Sequence, residues 1–224
     1  MALLLAVALL AYNTALALSR VGSGNLVPLN VAAMAGLVAA ASATGLSPEE
    51  MGLGAEALGR GVLWGLALVP VAPLVLGLTL VVPGGVRLLR DVRLTELSTG
   101  ELWLRVLVRI PLATALFEEV AFRGVLLGML SETFSTTTSV VLSSVAFGLW
   151  HVGPAWVRSV ANRPDAPWTA RLPEIVGTVA LTAAGGALFA LLRIHTGSVA
   201  APAIVHASVN VAATLTGRRA ARRG

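Results

Sequence analysis

The chain has no cysteine and no lysine among its 224 residues. Without cysteine it can form neither disulfide bridges nor thiolate metal sites. Charged residues make up only 12% of the sequence, whereas about one quarter of a typical soluble domain is charged. Hydrophobic residues make up 56%, and the mean hydropathy is +0.85. This balance indicates a protein whose main solvent is lipid.

The basic charge comes from arginine alone: the chain has 16 basic residues and a net charge of +5. A basic balance can indicate nucleic-acid binding. Here, however, the arginines lie in short segments between apolar stretches, so no contiguous basic face follows a phosphate backbone. We therefore expect no nucleic-acid partner, and we expect the lipid bilayer to surround the protein.

Long apolar stretches fill most of the chain. A helix that crosses a bilayer needs about 20 mainly apolar residues. Seven stretches approach this length: 2–18, 26–46, 61–82, 106–130, 136–157, 174–192 and 198–216. Breakers such as Gly22-Ser23-Gly24 and Pro83-Gly84-Gly85 separate them. The sequence thus predicts an all-α, polytopic transmembrane bundle of about seven spans, although the short 130–136 connection could also be a bend within one helix.

The arginines predict the orientation. With the N-terminus outside and seven alternating spans, the outer loops hold only Arg60 and Arg193. The inner segments hold twelve arginines, which are Arg20, Arg87, Arg90, Arg93, Arg105, Arg158, Arg163, Arg171, Arg218, Arg219, Arg222 and Arg223. Because short cytoplasmic loops carry the excess of arginine, we expect a cytoplasmic C-terminus. The richness in alanine, glycine and arginine indicates a bacterium of high GC content, hence a multi-pass protein of the inner membrane.

Small residues recur at four-residue spacing in the second predicted span, at Ala32, Gly36 and Ala40. Such residues let two helix backbones approach closely in lipid. We interpret them as packing residues without a chemical role.

Two adjacent carboxylates, Glu118 and Glu119, lie deep in the fourth predicted span. An ionised carboxylate near the middle of a bilayer costs about 2.5–3.5 kcal/mol even on the lenient insertion scale. Glu119 and Arg123 are four residues apart, so they share a helical face and are predicted to pair. Glu118 lies about 100° around the helix and is predicted to face a polar cavity. The alternative is a buried ion network of all three side chains that only holds helices together.

Two of the three histidines lie inside predicted spans. His151 ends an apolar run in the fifth span, and His206 and Asn210 share one face of the seventh. Either histidine alone could be an ordinary interhelical hydrogen-bonding group. Together with Glu118, they are predicted to meet in the inner or middle half of the membrane. His195 adjoins an outer turn, and we interpret it as a surface residue.

Such a cluster predicts hydrolysis by activated water. A carboxylate beside a neutral imidazole can deprotonate a water molecule, and a second histidine with an asparagine can stabilise an oxyanion. No serine near His151 resembles a strained nucleophile elbow. One glutamate and two histidines are also a ligand set for catalytic zinc, and no His-Glu-x-x-His helix decides between the two versions. A divalent metal held by Glu118, His151 and His206 therefore stays open.

The motifs resemble those of the CPBP intramembrane proteases, a family that includes the CAAX prenyl endopeptidases of eukaryotes and the bacterial Abi, or bacteriocin-immunity, proteins. The resemblance covers about residues 105–214. It rests on Glu118-Glu119-x-x-x-Arg123, Phe147-x-x-x-His151 and His206-x-x-x-Asn210. It implies N-terminal spans over 1–104, a catalytic core over 105–217 and a basic cytoplasmic tail over 218–224.

The resemblance also implies roles. Glu118 and His151 would activate the water, and His206 and Asn210 would stabilise the oxyanion. The supporting residues would be Glu119, Arg123 and Phe147. The family is classed with the metalloproteases, but a metal-free glutamate mechanism has been argued for its eukaryotic members, so no cofactor is firmly predicted.

The sequence therefore predicts an intramembrane endopeptidase that acts on a peptide or membrane-protein substrate. Two alternatives are a non-enzymatic bacteriocin-immunity or scaffold protein, and a proton-coupled transporter in which the buried groups relay protons. The scarcity of polar residues along the other spans argues against the transporter. Prenylated CAAX substrates are not expected in a bacterium, which leaves the substrate open, and nothing in the sequence indicates an oligomeric state.

Overall fold

The computed structural model describes residues 1–18, 25–81 and 89–222. Over these ranges the chain is helical and contains no strand. The helices are α1 (Ala2–Leu18), α2 (Leu26–Ala43), α3 (Ala55–Leu68), α4 (Val71–Val81), α5 (99–131), α6 (Thr136–Trp150), α7 (Val152–Asn162), α8 (Trp168–Thr196) and α9 (Ala200–Ala221). A 3₁₀ turn, Val92–Leu94, precedes α5.

The winding of α5 changes along its length. The α-helical turns Thr99–Leu104, Phe117–Glu119 and Leu127–Ser131 alternate with the π-helical segments Arg105–Leu116 and Val120–Leu126. A capping box between Ser98 and Glu101 begins the helix. Pro111 lies inside the first π segment, where its missing N–H interrupts the regular hydrogen-bond ladder. Such π segments occur frequently at functional sites.

The centre of the bundle is α5. Every residue from 117 to 130 is buried, on all sides of the helix. Phe117 and Phe122 of α5 form an aromatic cluster with Phe147 and Trp150 of α6, and α1 contributes Leu9 to the same cluster. A helix that is buried all round can carry polar groups only where neighbouring helices satisfy them.

The outer surface of the bundle is apolar. Leu63, Val81, Leu181 and Leu188 each expose more than two thirds of their surface. Continuous apolar surface of this kind is unusual for a protein dissolved in water and suits contact with lipid. Four helical stretches are long and apolar enough to cross a membrane: Leu26–Ala43, Ala55–Leu78, Thr136–Asn162 and Trp168–Thr196. The prediction of an all-helical membrane protein is confirmed.

Each of the seven predicted stretches corresponds to one helix or one helix pair in the described residues. Only four of them include a helical stretch that is long and apolar enough to cross a membrane. The third stretch begins earlier than predicted, at residue 55, and breaks at Pro70 between α3 and α4. The connection at 130–136 is a turn between two helices, not a bend within one. The predicted breakers at 22–24 and 83–85 lie outside the described residues.

The packing role predicted for Ala32, Gly36 and Ala40 is wrong. All three are exposed, and a Cβ on Gly36 would meet no atom within 4 Å. The four-residue spacing does place the three residues on one face of α2, as predicted. This face, however, points away from the other described helices. Close helix approach occurs instead at Gly61 and Gly65 of α3, where a Cβ would come within 3 Å of side chains at the start of α9.

Most described arginines gather at one end of the bundle. We call this end, which includes Arg90, Arg93, Arg105, Arg158, Arg163 and Arg218, the basic end. Asn162 of α7 donates a hydrogen bond to the Arg90 carbonyl, 2.8 Å away, and Arg218 of α9 donates to the Leu97 carbonyl, 2.6 Å away. At the opposite end Arg60 donates to the Thr196 carbonyl and Arg193 to the Glu50 carbonyl.

The helices α6 and α8 approach each other closely at Gly148. A Cβ at this position would lie 2.7 Å from the carbonyl oxygen of Val179 and 2.9 Å from the Cβ of Ala183. Only glycine lets the two backbones come this close. Gly148 is one turn from His151. The position of His151 therefore depends on this contact.

We expect Gly148→Val to lower the stability of the protein in detergent by about 1–3 kcal/mol, because overpacking forces the two helices apart. Gly177→Val is the matched control, since Gly177 lies on α8 and a Cβ there meets no atom within 4 Å. Both variants carry the same change in helix propensity, so their difference reports the contact. Equal thermal unfolding midpoints in a detergent melt would contradict this account of the α6–α8 contact.

Candidate active site

The two adjacent glutamates of α5 are both buried. Glu118 exposes 6% of its surface and Glu119 none. Glu119 forms an ion pair with Arg123, whose guanidinium nitrogen donates to Glu119 Oε1 over 3.0 Å. Both side chains are completely buried. The pair predicted from the four-residue spacing is thus present, and it survives within the π-helical segment that contains Arg123.

Aromatic rings hold the Arg123 guanidinium on its other faces. The guanidinium carbon lies 3.9 Å from the centre of the Phe147 ring and 5.4 Å from that of Phe189, at cation–π distance. Gly186 of α8 makes the space, since a Cβ there would come within 3.1 Å of a guanidinium nitrogen. Phe147, predicted as a supporting residue, therefore contacts the arginine of the first motif.

His206 of α9 lies between the two glutamates. Its Nδ1 is 2.8 Å from Glu119 Oε1, and its Nε2 is 3.7 Å from Glu118 Oε2. The ring stacks on Phe189, with 5.2 Å between the ring centres. Glu119 therefore orients the imidazole, and the opposite nitrogen faces Glu118 at a distance beyond that of a direct hydrogen bond.

His151 lies at the junction of α6 and α7. Its Nδ1 is 2.8 Å from the carbonyl oxygen of Phe147. A carbonyl only accepts hydrogen bonds, so Nδ1 is the donor and Nε2 of the neutral ring keeps its lone pair. Gly153 and Pro154 lie in the first turn of α7, and Pro154 has no N–H to donate to the Trp150 carbonyl four residues earlier. The helix therefore breaks at His151.

Trp150 makes two hydrogen bonds at the site, one through its side chain and one through its backbone. Its indole Nε1 donates to Glu118 Oε1 over 3.1 Å, while its carbonyl accepts a hydrogen bond of 2.6 Å from Asn13 of α1. Asn13 thus satisfies the carbonyl that Pro154 leaves free. In a similar way, Asn30 of α2 donates to the Ala113 carbonyl of the π segment over 2.5 Å.

None of the sequence motifs predicts a role for Trp150, Asn13 or Asn30. Asn13 and Asn30 lie outside residues 105–214, over which the resemblance was drawn, but each is a polar residue inside an apolar stretch. The argument that singled out Glu118 applies to them as well. Trp150 carries no such signal, since a tryptophan in a span is usually a packing residue.

A cavity of about 580 Å³ opens beside this cluster and extends to the basic end. Its walls include Glu118, His151 and Asn210, one from each of the three motifs. Asn210 is half-buried, and within the described residues its amide makes no hydrogen bond. His206 does not line the cavity but lies behind Glu118. His195, which was interpreted as a surface residue, is exposed and packs against Trp64.

The predicted metal ligands do not form a ready-made metal site. In the part of the chain that the structure describes, no group of three histidine, aspartate or glutamate side chains is placed to hold one ion. His206 uses one nitrogen for Glu119, and His151 uses one for a backbone carbonyl. We therefore derive no step of the reaction through a metal.

A helical membrane protein with a buried pair of carboxylates, two imidazoles and a polar cavity has the groups of a membrane-embedded protease. The chain belongs to the type II CAAX prenyl endopeptidase Rce1-like family, whose model matches residues 100–212. The match includes all three motifs and confirms the family resemblance drawn from them. Neither a curated protein nor a solved structure matches the chain significantly. Membership in this family implies proteolytic activity in general.

The burial of the Glu119–Arg123 pair predicts a large effect on stability. Arg123→Met leaves the Glu119 carboxylate without its cation, and we expect a loss of about 3–5 kcal/mol in detergent unfolding. The double variant Glu119→Gln with Arg123→Met should recover part of this loss, because no unpaired charge remains.

Arg163→Met is the control, since Arg163 forms a half-exposed ion pair with Glu174 at 2.8 Å. Its removal should cost no more than about 1 kcal/mol. If the Arg123 and Arg163 variants unfold at the same temperature, the buried pair does not hold the bundle as described.

Proposed function

We propose that the chain is an intramembrane endopeptidase that hydrolyses a peptide bond with a water molecule activated by Glu118 and His151. The observation that carries this proposal is the shared cavity, whose walls contain a carboxylate, a free imidazole nitrogen and a free amide from three separate helices. Membership in a family of endopeptidases supports the same reaction. The substrate is a peptide or a membrane protein that enters from the basic end.

The Glu118 carboxylate is the base. The Trp150 indole holds Oε1, whereas Oε2 is buried and has no hydrogen-bond partner among the described residues. In the reaction Oε2 takes one proton from the water, and His151 Nε2 accepts a hydrogen bond from the other. The resulting hydroxide attacks the carbonyl carbon of the scissile bond.

The oxyanion that forms is stabilised by donors from α9. The Asn210 amide lines the cavity and is free to donate, and His206, one turn earlier, supplies the second donor past Glu118 when both of its ring nitrogens hold a proton, because Nδ1 already donates to Glu119. Glu118 then delivers its proton to the amide nitrogen, the carbon–nitrogen bond breaks, and the amine and the new carboxylic acid leave. Glu119, Arg123 and Phe147 hold His206 and α5 in place.

We also propose that the seven helical passes alternate across the inner membrane of a bacterium, with the N-terminus outside and the C-terminus in the cytoplasm. The concentration of arginines at the basic end supports this orientation, because cytoplasmic ends carry the excess of arginine. Residues 105–217 form the catalytic core in this proposal, and residues 218–224 form a cytoplasmic tail.

We expect Glu118→Gln and His151→Ala each to lower the rate of peptide hydrolysis by about 10²–10⁴-fold. Asn210→Ala should lower it by about 10²–10³-fold, the usual effect of one lost oxyanion donor. The measurement is cleavage of a membrane-protein extract by the reconstituted protein, followed by sequencing of the new N-termini. His195→Ala and Glu132→Gln are matched controls, since both side chains are exposed and far from the cavity.

Retained cleavage in Glu118→Gln, with normal thermal stability, would reject the assigned base. A proton flux into liposomes that is lost in the same variant, without any proteolysis, would instead favour the transporter alternative.

The orientation has its own test, because a chain without cysteine accepts single reporter cysteines. Glu49→Cys and Asp165→Cys each replace one exposed carboxylate, the first at the end opposite the basic end and the second at the basic end. In intact spheroplasts a membrane-impermeant maleimide should label Glu49→Cys and leave Asp165→Cys unlabelled until the membrane is permeabilised. The reverse pattern would contradict the proposed topology.

A further inference from the structure

The backbone at the junction of α6 and α7 is held by a side chain of α1. The Asn13 amide nitrogen donates to the Trp150 carbonyl over 2.6 Å. This carbonyl has no donor in its own helix, because the residue four positions later is Pro154. Trp150 is buried, and a buried acceptor needs a partner from the protein itself. Asn13 therefore replaces a missing helical hydrogen bond.

Trp150 connects this hydrogen bond to both groups that are proposed to activate the water. Its indole Nε1 donates to Glu118 Oε1 over 3.1 Å. The indole also packs against Phe117 and Phe122 of α5, with 5.9 and 5.3 Å between the ring centres. The side chain of Trp150 is thus fixed to α5, while its backbone leads directly into His151.

The His151 ring follows the backbone of this turn. Its Nδ1 donates to the Phe147 carbonyl over 2.8 Å, and its ring centre lies 4.7 Å from that of the Phe147 side chain. Both contacts are made within one turn of α6, so the imidazole moves together with the end of this helix. The distance from His151 Nε2 to Glu118 therefore depends on what holds the Trp150 backbone.

The face of α1 that meets the junction is otherwise apolar. Leu9, Asn13 and Ala17 are spaced four residues apart and share this face. Leu9 packs in the aromatic cluster of α5 and α6, and a Cβ on Gly153 of α7 would lie 3.4 Å from the Cβ of Ala17. An amide between two apolar residues is unfavourable at membrane depth unless it has a polar partner. Packing alone therefore does not account for an asparagine at position 13.

We propose that Asn13 is a positioning residue of the active site, whose hydrogen bond to the Trp150 carbonyl sets the distance between His151 Nε2 and Glu118. This inference rests on the proposed function and adds to it a residue of α1, outside the residues 100–212 that match the family model. Asn13 acts through Trp150, whose indole reaches Glu118 and whose backbone carries His151. The first helix is thereby required for the rate of the reaction.

The first measurement is hydrolysis of a quenched fluorescent peptide that spans a cleavage site found by sequencing of the new N-termini. Asn13→Leu keeps a side chain of similar shape and removes the donor. Because a displaced imidazole slows the chemical step and leaves substrate contacts in place, we expect kcat to fall about 10–100-fold with KM unchanged. Thr14→Val is the matched control, since Thr14 is the exposed neighbour on α1, and it should keep both constants.

The second measurement is a rescue. Pro154→Ala supplies an N–H four residues after Trp150, so that the carbonyl regains a donor within its own helix. In the Pro154→Ala background, Asn13→Leu should no longer lower kcat. Asn30→Leu is the comparison, because Asn30 donates to the Ala113 carbonyl of α5, which Pro154→Ala does not supply with a donor. Its effect on kcat should be the same in both backgrounds.

The third measurement does not depend on turnover. The chain has five tryptophans, so a protein labelled with ¹⁵N-tryptophan gives five indole N–H signals in a detergent micelle. Trp150→Phe identifies the signal of Trp150 by its loss. We expect Asn13→Leu to shift this signal, because the indole moves relative to Glu118, and Pro154→Ala to return it toward its original position.

Three results would overturn the positioning role. One is an Asn13→Leu protein with the original kcat, and another is a loss of kcat that Pro154→Ala does not restore. The third is equal recovery of Asn30→Leu, which would make the rescue unspecific. Failure of the proposed function gives a different pattern, in which Glu118→Gln retains hydrolysis while Asn13→Leu still shifts the Trp150 indole signal. That pattern would reject the assigned base and leave the contact between Asn13 and Trp150 standing.

Discussion

The burial of two adjacent carboxylates in one helix is the constraint on which the rest of this structure depends. Both glutamates are buried, and an unpaired buried charge costs several kcal/mol. The bundle meets this cost differently for each residue. Glu119 forms an ion pair with Arg123 and a hydrogen bond with His206, so its charge is neutralised. Among the described residues Glu118 accepts one hydrogen bond, from the Trp150 indole, and its other oxygen lies 3.7 Å from His206 Nε2 without a hydrogen bond. The asymmetry supports the proposal that Glu119 is a structural carboxylate and Glu118 a reactive one.

The backbone around the site is irregular, and the first two helices make this irregularity possible. The break at His151 frees the Trp150 carbonyl, and Asn13 satisfies it. The changing winding of α5 brings the Ala113 carbonyl to Asn30, which is held in turn by a hydrogen bond from Tyr12. In a membrane interior such backbone groups need partners from the protein itself. The helices α1 and α2 therefore support the motif-bearing helices and do more than anchor them in lipid.

The sequence predicted the features that follow from fixed spacing. The Glu119–Arg123 pair follows from a four-residue interval, and the shared cavity of Glu118, His151 and Asn210 follows from their placement in separate spans. Spacing alone did not predict that His206 turns toward Glu119 while Asn210, on the same helix face, reaches the cavity. It also assigned Ala32, Gly36 and Ala40 to a helix contact that is absent among the described residues. Such features depend on which helices become neighbours, and one sequence without its fold does not contain that information in readable form.

The site needs polar side chains, whereas insertion into a membrane needs apolar ones. Different helices meet these two requirements. The helix α5 carries Arg105, Arg109, Glu118, Glu119 and Arg123, and α9 carries His206 and Asn210; neither meets the criterion for a membrane span. The stretches that do meet it pack around these two helices and present leucine and valine to the outside. A helix with this many polar groups is stable at membrane depth because its neighbours, rather than lipid, contact them. The apolar helices thus determine how many polar side chains α5 can carry at membrane depth.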